Sequence, residues 1–206
     1  FDYLTVKLAR HDHPITNVNG RIQLVNYQRP QIRLDEIVGD YFDLPVKLSG
    51  AIYFDTKEYD VLLQPRDEIP YKHLTDLVPL RFVPGVDFNV LFEAKLYGAF
   101  KRPSANVLLW TTPLKVNDYN FGSIYVNLLK QKNGFHIKSL KKSDIVFSGD
   151  MTSSSINMTV TMPDVAIPFL SQKAPLLFKF EGPLKQPSIS MTIEDIQQNI
   201  FGYEIS

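Results

Sequence analysis

Along most of this chain apolar and polar residues alternate one for one. The clearest run is Phe88-Asn89-Val90-Leu91-Phe92-Glu93-Ala94-Lys95-Leu96. A strand sends successive side chains to opposite faces. Phe88, Val90, Phe92, Ala94 and Leu96 therefore share one face, Asn89, Glu93 and Lys95 the other, and Leu91 is the exception. Val46, Leu48, Gly50, Ile52 and Phe54 repeat the pattern against Lys47, Ser49, Tyr53 and Asp55. Ile124, Val126 and Leu128 follow, then Ile156, Met158, Val160 and Met162. Leu176, Phe178 and Phe180 come next, and Ile189, Met191 and Ile193 close the series. One apolar face and one wet face is the habit of antiparallel sheets.

Turn signals punctuate these runs at His13-Pro14, Asn19-Gly20, Arg29-Pro30, Gln64-Pro65, Pro84-Gly85, Asn133-Gly134, Gly149-Asp150 and Gly182-Pro183. Asn-Gly between alternating runs is a strong hairpin signal, so a hairpin is expected at Asn133-Gly134. Helix is confined to one or two turns over Tyr71 to Val78 and to Glu194 to Phe201, where Ile196 and Ile200 stand four apart. About a dozen short strands are expected, the pattern of an all-β chain.

Composition narrows the function classes. The 206 residues carry 22 basic and 22 acidic side chains and no net charge, so counterion release gives no drive toward nucleic acid. With 44% hydrophobic and 21% charged residues the chain is an ordinary globular one. No apolar run approaches the ~18 residues of a membrane-spanning helix. Cysteine is absent, which removes disulfides, thiolate metal sites and thiol nucleophiles. The chain opens Phe1-Asp2-Tyr3 with no leader, and a segment of a longer protein is expected.

The chain also repeats itself. Leu74-Thr75-Asp76-Leu77 precedes an alternating strand, then Gly98-Ala99-Phe100-Lys101-Arg102-Pro103 and a second strand through Val107-Leu108-Leu109. Met162-Pro163-Asp164-Val165 precedes Leu176 to Phe180, then Gly182-Pro183-Leu184-Lys185-Gln186-Pro187 and Ile189 to Ile193. In both, Pro follows five positions after Gly. A weaker copy runs from Gly50-Ala51-Ile52 to Val61-Leu62-Leu63. Gly permits positive φ where a strand turns, and Pro fixes the entry of the next strand where no ladder N–H is needed. One β-repeat domain over 1–206 is expected, with units at about 46–64, 74–110 and 162–193.

This unit resembles the repeats of the AsmA-like family, which includes TamB. Glu181-Gly182-Pro183-Leu184-Lys185-Gln186-Pro187-Ser188-Ile189 is similar to that family's recurrent Gly-x-Leu-x-x-Pro signature. The likeness covers residues 74 to 193 and is stylistic over 1 to 70. It implies an elongated, mostly antiparallel sheet curled into a taco-like groove with an apolar interior. It also implies a periplasmic segment of an inner-membrane-anchored protein of a diderm bacterium. Such proteins carry phospholipid between inner and outer membranes, or support outer-membrane assembly.

Other constellations are weaker. His11-Asp12-His13 puts two imidazoles on one face of a strand, but Pro14 makes a solvated turn the better reading than a metal site. His73 and His136 stand alone, as surface or packed residues. Asp35-Glu36 and Glu58/Asp60 are carboxylate pairs in turn-rich places, where charges are solvated. Ser153-Ser154-Ser155 lacks a Gly-x-Ser-x-Gly elbow. Asn157-Met158-Thr159 fits a glycosylation acceptor, which in an envelope protein reads as a strand with Thr159 outward. Lys138, Lys141 and Lys142 form a small basic patch, better read as a solvated face than as a headgroup contact. No catalytic residue, metal or cofactor is assigned, and no enzyme is expected.

The apolar stripes carry the functional reading. By composition alone they fit the closed core of a two-sheet β-sandwich, a binding or adhesin module for polysaccharide or protein. Exposed aromatics at Trp110, Tyr119 and Tyr125 would favour that reading. The repeat and the family likeness turn the stripes into the lining of a groove for phospholipid acyl chains. That lining is expected to comprise Val46, Leu48, Ile52, Phe54, Phe88, Val90, Phe92, Leu96, Ile124, Val126, Leu128, Ile156, Met158, Val160, Leu176, Phe178, Phe180, Ile189, Met191 and Ile193. Neighbouring repeats of the same chain are expected to extend the sheet. An outer-membrane β-barrel or another envelope protein is the expected partner.

Overall fold

The computed structural model describes residues 4–6, 15–25, 29–41, 43–73, 84–140, 142–166, 173–193, 198–200 and 203–205. These residues are almost entirely strand, with one helical turn over 71–73. The chain divides into two compact units, Phe1–Trp110 and Thr111–Ser206. The first holds β1 (Leu4–Val6), β2 (Ile15–Val25), β3 (Gln31–Tyr41), β4 (Leu44–Tyr53), β5 (Glu58–Pro65), β6 (Ile69–Pro70), β7 (Val86–Asp87), β8 (Asn89–Ala99) and nearly all of β9 (Arg102–Thr111). The second holds β10 (Lys115–Val116), β11 (Tyr119–Asn120), β12 (Tyr125–Gln131), β13 (Gly134–Ser139), β14 (Val146–Thr152), β15 (Ser155–Ala166), β16 (Lys173–Pro183), β17 (Ser188–Ile193), β18 (Gln198–Ile200) and β19 (Tyr203–Ile205). About a dozen strands were expected and nineteen are present among the described residues, twelve of them with six or more residues and seven with two or three.

Both units are antiparallel meanders. In the first, neighbours run β1-β2-β3-β4-β5-β8-β9, with β6 also against β8. In the second they run β12 to β17 in chain order, beside the small hairpins β10–β11 and β18–β19. Short polar turns between alternating runs leave each strand no partner closer in sequence than its predecessor. Neither meander closes into a barrel. Among the described residues neither unit contains a second sheet of comparable size, so the two-sheet sandwich is not built within a unit.

Several turns differ from expectation. Asn19-Gly20 lies inside β2, where the register with β3 shifts on either side of Asn19. Gly149-Asp150 lies inside β14, in unbroken register with β13 and β15. The hairpin at Asn133-Gly134 exists, but Lys132 and Asn133 form its loop and Gly134 opens β13. Gly134 is needed there for space, because a Cβ on it would strike the Met151 carbonyl. Gln198–Ile200 is a strand paired with Tyr203–Ile205, not part of a helical turn, because isoleucine finds a cross-strand partner in this hairpin. At the other expected helix, 71–73 is helical and 74–78 lies outside the described residues.

The two Gly-to-Pro units adopt the same local geometry. Gly98 and Gly182 have φ of +101° and +102°. Each stands next to the last residue of its strand, and each precedes a turn, at Phe100–Lys101 and Leu184–Lys185. Two residues after each glycine, the amide donates to the carbonyl of the neighbouring hairpin loop: Phe100 N to Lys57 O at 3.0 Å and Leu184 N to Ser154 O at 2.9 Å. Phe54 N makes the corresponding bond to Pro30 O at 3.1 Å. The lead-in Leu74-Thr75-Asp76-Leu77 lies outside the described residues.

Candidate functional site

Residues paired across strands share a face, so the registers assemble the apolar stripes into continuous rows. In the first unit one row runs Leu24, Ile32, Ile52 and Tyr59. Beside it runs Ile22, Leu34, Gly50, Val61 and Leu96, and then Ile37, Leu48, Leu63 and Ala94. Val46 lies between Gly39 and Pro65 on the same face, and Val90 pairs with Ile69. In the second unit one row runs Leu128, Ile137, Gly149, Met158, Phe180 and Ile189. The next is Phe147, Val160, Phe178 and Met191, followed by Met162, Leu176 and Ile193. Phe135, Met151 and Ile156 complete that face.

Burial along these rows is graded. In the first unit Val61, Val90, Ala94 and Ile69 are buried, whereas Ile22 and Leu24 on β2 are 45% and 78% exposed. In the second, Val126, Ile137 and Val160 are buried, whereas Ile189 and Met191 on β17 are 61% and 58% exposed. Most positions between are half-buried. A facing sheet would bury such rows to their ends. Here the apolar face stays open at Ile22 and Leu24 of β2, beyond the stretch that pairs with β1, and at Ile189 and Met191 of β17.

Of the expected lining residues, Phe54 falls elsewhere. It lies past the end of β4 in the 54–57 turn, because the strand ends at Tyr53. Phe88 sits between β7 and β8 and stacks on Tyr71 with ring centroids 4.9 Å apart. Ile124 precedes β12, where its amide bonds the Thr111 hydroxyl at 3.0 Å and its carbonyl accepts from Thr111 N at 3.0 Å. Phe92 lies on β8 and is half-buried. The alternation of Gly134-Phe135-His136-Ile137 was the signal that would have added Phe135 and Ile137. Leu34 and Ile37 are harder to read, because the bulge at Asp35-Glu36 puts them three apart on one face.

The opposite faces are charged and internally paired. Arg33 bonds Asp35 at 3.0 Å, Lys47 bonds Glu36 at 2.8 Å, and Lys95 meets Asp60 at 3.3 Å. Glu58 meets Arg29 at 3.3 Å. The expected carboxylate pairs are thus each tied to cations, not directed together at one cleft. The hydrogen bond from Lys47, aided by its charge, holds the exposed Glu36 carboxyl below its ordinary value. A lowered folded-state value means that this contribution is present above the ordinary pKa of 4.5 and fades as pH falls through the folded one. A depression of about 400 Å³ beside the bulge is lined by Arg33, Asp35, Glu36, Ser49 and Tyr53, among others.

The remaining candidates are ordinary surface features. His136 Nδ1 lies 2.9 Å from Asp150 Oδ1 on the polar face. The Thr152 hydroxyl accepts from the Ser154 and Ser155 amides at 3.2 and 2.9 Å, which closes the loop of Ser153-Ser154-Ser155. Asn157 is exposed and Thr159 half-buried inside β15. Lys138 and Lys142 are exposed, and His73 is an exposed residue of the helical turn. Trp110 and Tyr125 are half-buried and Tyr119 is 51% exposed. His11-Asp12-His13 and Lys141 lie outside the described residues. Among the described residues no group of three His, Cys, Asp or Glu side chains could hold a metal ion. No helix among them is long and apolar enough to cross a membrane.

No family model and no solved structure matches the chain. It is 21% identical over 133 residues to apolipoprotein B-100 of Rattus norvegicus, a match that takes in 65% of this chain. The match spans about 2% of the length of that protein.

Proposed function

We propose that the apolar faces of the two units are lanes for phospholipid acyl chains, in a non-enzymatic protein of the AsmA/TamB kind. The observation that carries this reading is the apolar face of each unit, built of continuous rows that stay open at Ile22 and Leu24 and at Ile189 and Met191. The similarity to a stretch of apolipoprotein B-100, a lipoprotein component by name, is in keeping with it.

The lane works through non-directional attraction. Each buried methylene contributes about 0.8 kcal/mol, so a chain of ~14 carbons gains on the order of 11 kcal/mol before entropy losses. Rows of Leu, Ile, Val, Phe and Met offer equivalent positions and no single deep well, so a bound chain slides. The headgroup stays in water beyond the lane, and no polar pocket is required. In this reading the chain works in the periplasm as part of an inner-membrane-anchored protein. Neighbouring repeats lengthen the lane, and an outer-membrane β-barrel or another envelope protein receives its end.

Organic extraction of the purified chain followed by mass spectrometry tests the reading. Co-purified phospholipid near or above one molecule per chain is expected, with mixed acyl lengths. A protein that is folded and free of phospholipid after expression in a diderm bacterium would remove it.

A further inference from the structure

The hairpin loops at one edge of the first unit differ in chemistry from those at the other. The bonds from Phe54 N to Pro30 O and from Phe100 N to Lys57 O hold three successive loops in a row. That row presents Phe54 and Phe100, 49% and 50% exposed, at the crests of the β4–β5 and β8–β9 turns. Around them stand Arg29, Lys57, Lys101 and Arg102, against only Asp55 and Glu58. Both carboxylates are engaged by Arg29, each at 3.3 Å, and its guanidinium also lies 3.9 Å from the centre of the Tyr53 ring. Lys57, Lys101 and Arg102 are exposed and, among the described residues, have no acidic partner. At the opposite edge the described strand ends and loops carry Asp40, Asp43, Asp67, Glu68 and Asp87 against Arg66 and Lys72.

We infer that the edge formed by Phe54, Lys57, Phe100, Lys101 and Arg102 docks on an anionic phospholipid bilayer. Paired aromatic crests with unpaired cations behind them match the interface of such a bilayer, where rings enter the headgroup region and ammonium groups meet phosphate. The described acidic residues of the opposite edge are repelled by the same surface, which favours the orientation with the phenylalanines toward the bilayer. A neutral protein partner would leave the three free cations without a counterpart, and a basic one would be repelled by them. Neither phenylalanine is paired within the rows, but the Phe100 ring stacks on Tyr59, the end of one row, with centroids 5.9 Å apart, so the docking edge adjoins that lane.

Co-sedimentation of the full chain with vesicles of phosphatidylcholine and 30% phosphatidylglycerol tests it, with pure phosphatidylcholine as reference. Binding to the anionic vesicles is expected, weaker in 0.5 M salt. Each cation removed should weaken it by about fivefold. Lys57→Glu/Lys101→Glu, which disturbs no packing, should therefore lose at least tenfold. Phe54→Ser/Phe100→Ser should also lose at least tenfold, with far-UV circular dichroism unchanged. Leu184→Ser, at the corresponding turn of the second unit, should bind as the parent does. Parent binding that is absent, or equally strong to neutral vesicles, overturns the inference, as does full binding by both tip variants. Loss of binding in Leu184→Ser as large as that in the tip variants would also overturn it.

Discussion

Replacing Gly149 by alanine lowers the unfolding free energy by about 2–5 kcal/mol, the sum of backbone strain and overpacking. The residue lies mid-strand with φ of +151°, between Ile137 on β13 and Met158 on β15. A Cβ there would land on the Asn157 carbonyl oxygen and 2.6 Å from Met158 Cα, both of them backbone atoms that cannot rotate aside. Gly50 has the same design in the first unit: φ of +134°, a Cβ position against the Asp60 carbonyl, and 2.8 Å to Val61 Cα. Gly50→Ala should lose a similar amount. Gly182 supplies the control, with φ of +102° and no atom within 4 Å of its Cβ position. Gly182→Ala should lose only the strain, about 1–2 kcal/mol. Urea titrations followed by circular dichroism would show the ordering. Equal losses at Gly149 and Gly182 would mean that β15 moves aside freely.

Met191→Glu and Ile189→Glu should separate stability from lipid capture. Both side chains are more than half exposed, so either change costs under about 1 kcal/mol of stability. Each, however, places a carboxylate at the end of an apolar row, opposite Phe178 or Phe180. Covering that charge with an acyl chain costs several kcal/mol, and each 1.4 kcal/mol is tenfold in affinity. Phospholipid recovered per chain should fall at least tenfold. Ser190→Glu, whose partner Lys179 lies on the other face, should leave recovery unchanged. Equal loss in the Ser190 and Met191 variants would show that lipid does not distinguish the faces.

Much of this architecture can be read from period-2 alternation alone. The stripes of β4, β8, β12, β15, β16 and β17 lie on their expected faces because a one-residue slip would invert every side chain. Turn signals were less informative, since glycine serves two purposes. At Gly98 and Gly182 it turns the chain, and the sequence shows that through the Pro five residues later. At Gly149 and Gly134 it makes room for the backbone of the next strand, which depends on the cross-strand register and not on the local pattern around the glycine. Leu34 and Ile37 were hidden by the two-residue bulge at Asp35-Glu36. Phe54 continued the alternation of β4 past the point where hydrogen bonding to β5 ends at Tyr53. The exposed docking edge was not legible, because its two phenylalanines are 46 residues apart and share one edge only through loop-to-loop bonds.

In the proposed reading, acyl chains lie on one face of each unit. A photoreactive benzoylphenylalanine introduced at Phe178, irradiated in cells and analysed by mass spectrometry, reports which face they occupy. Phospholipid adducts at position 178, with none from the same probe at position 179 on the opposite face, are the predicted result. Adducts equally frequent at both positions, or at neither while the chain is folded, would contradict it.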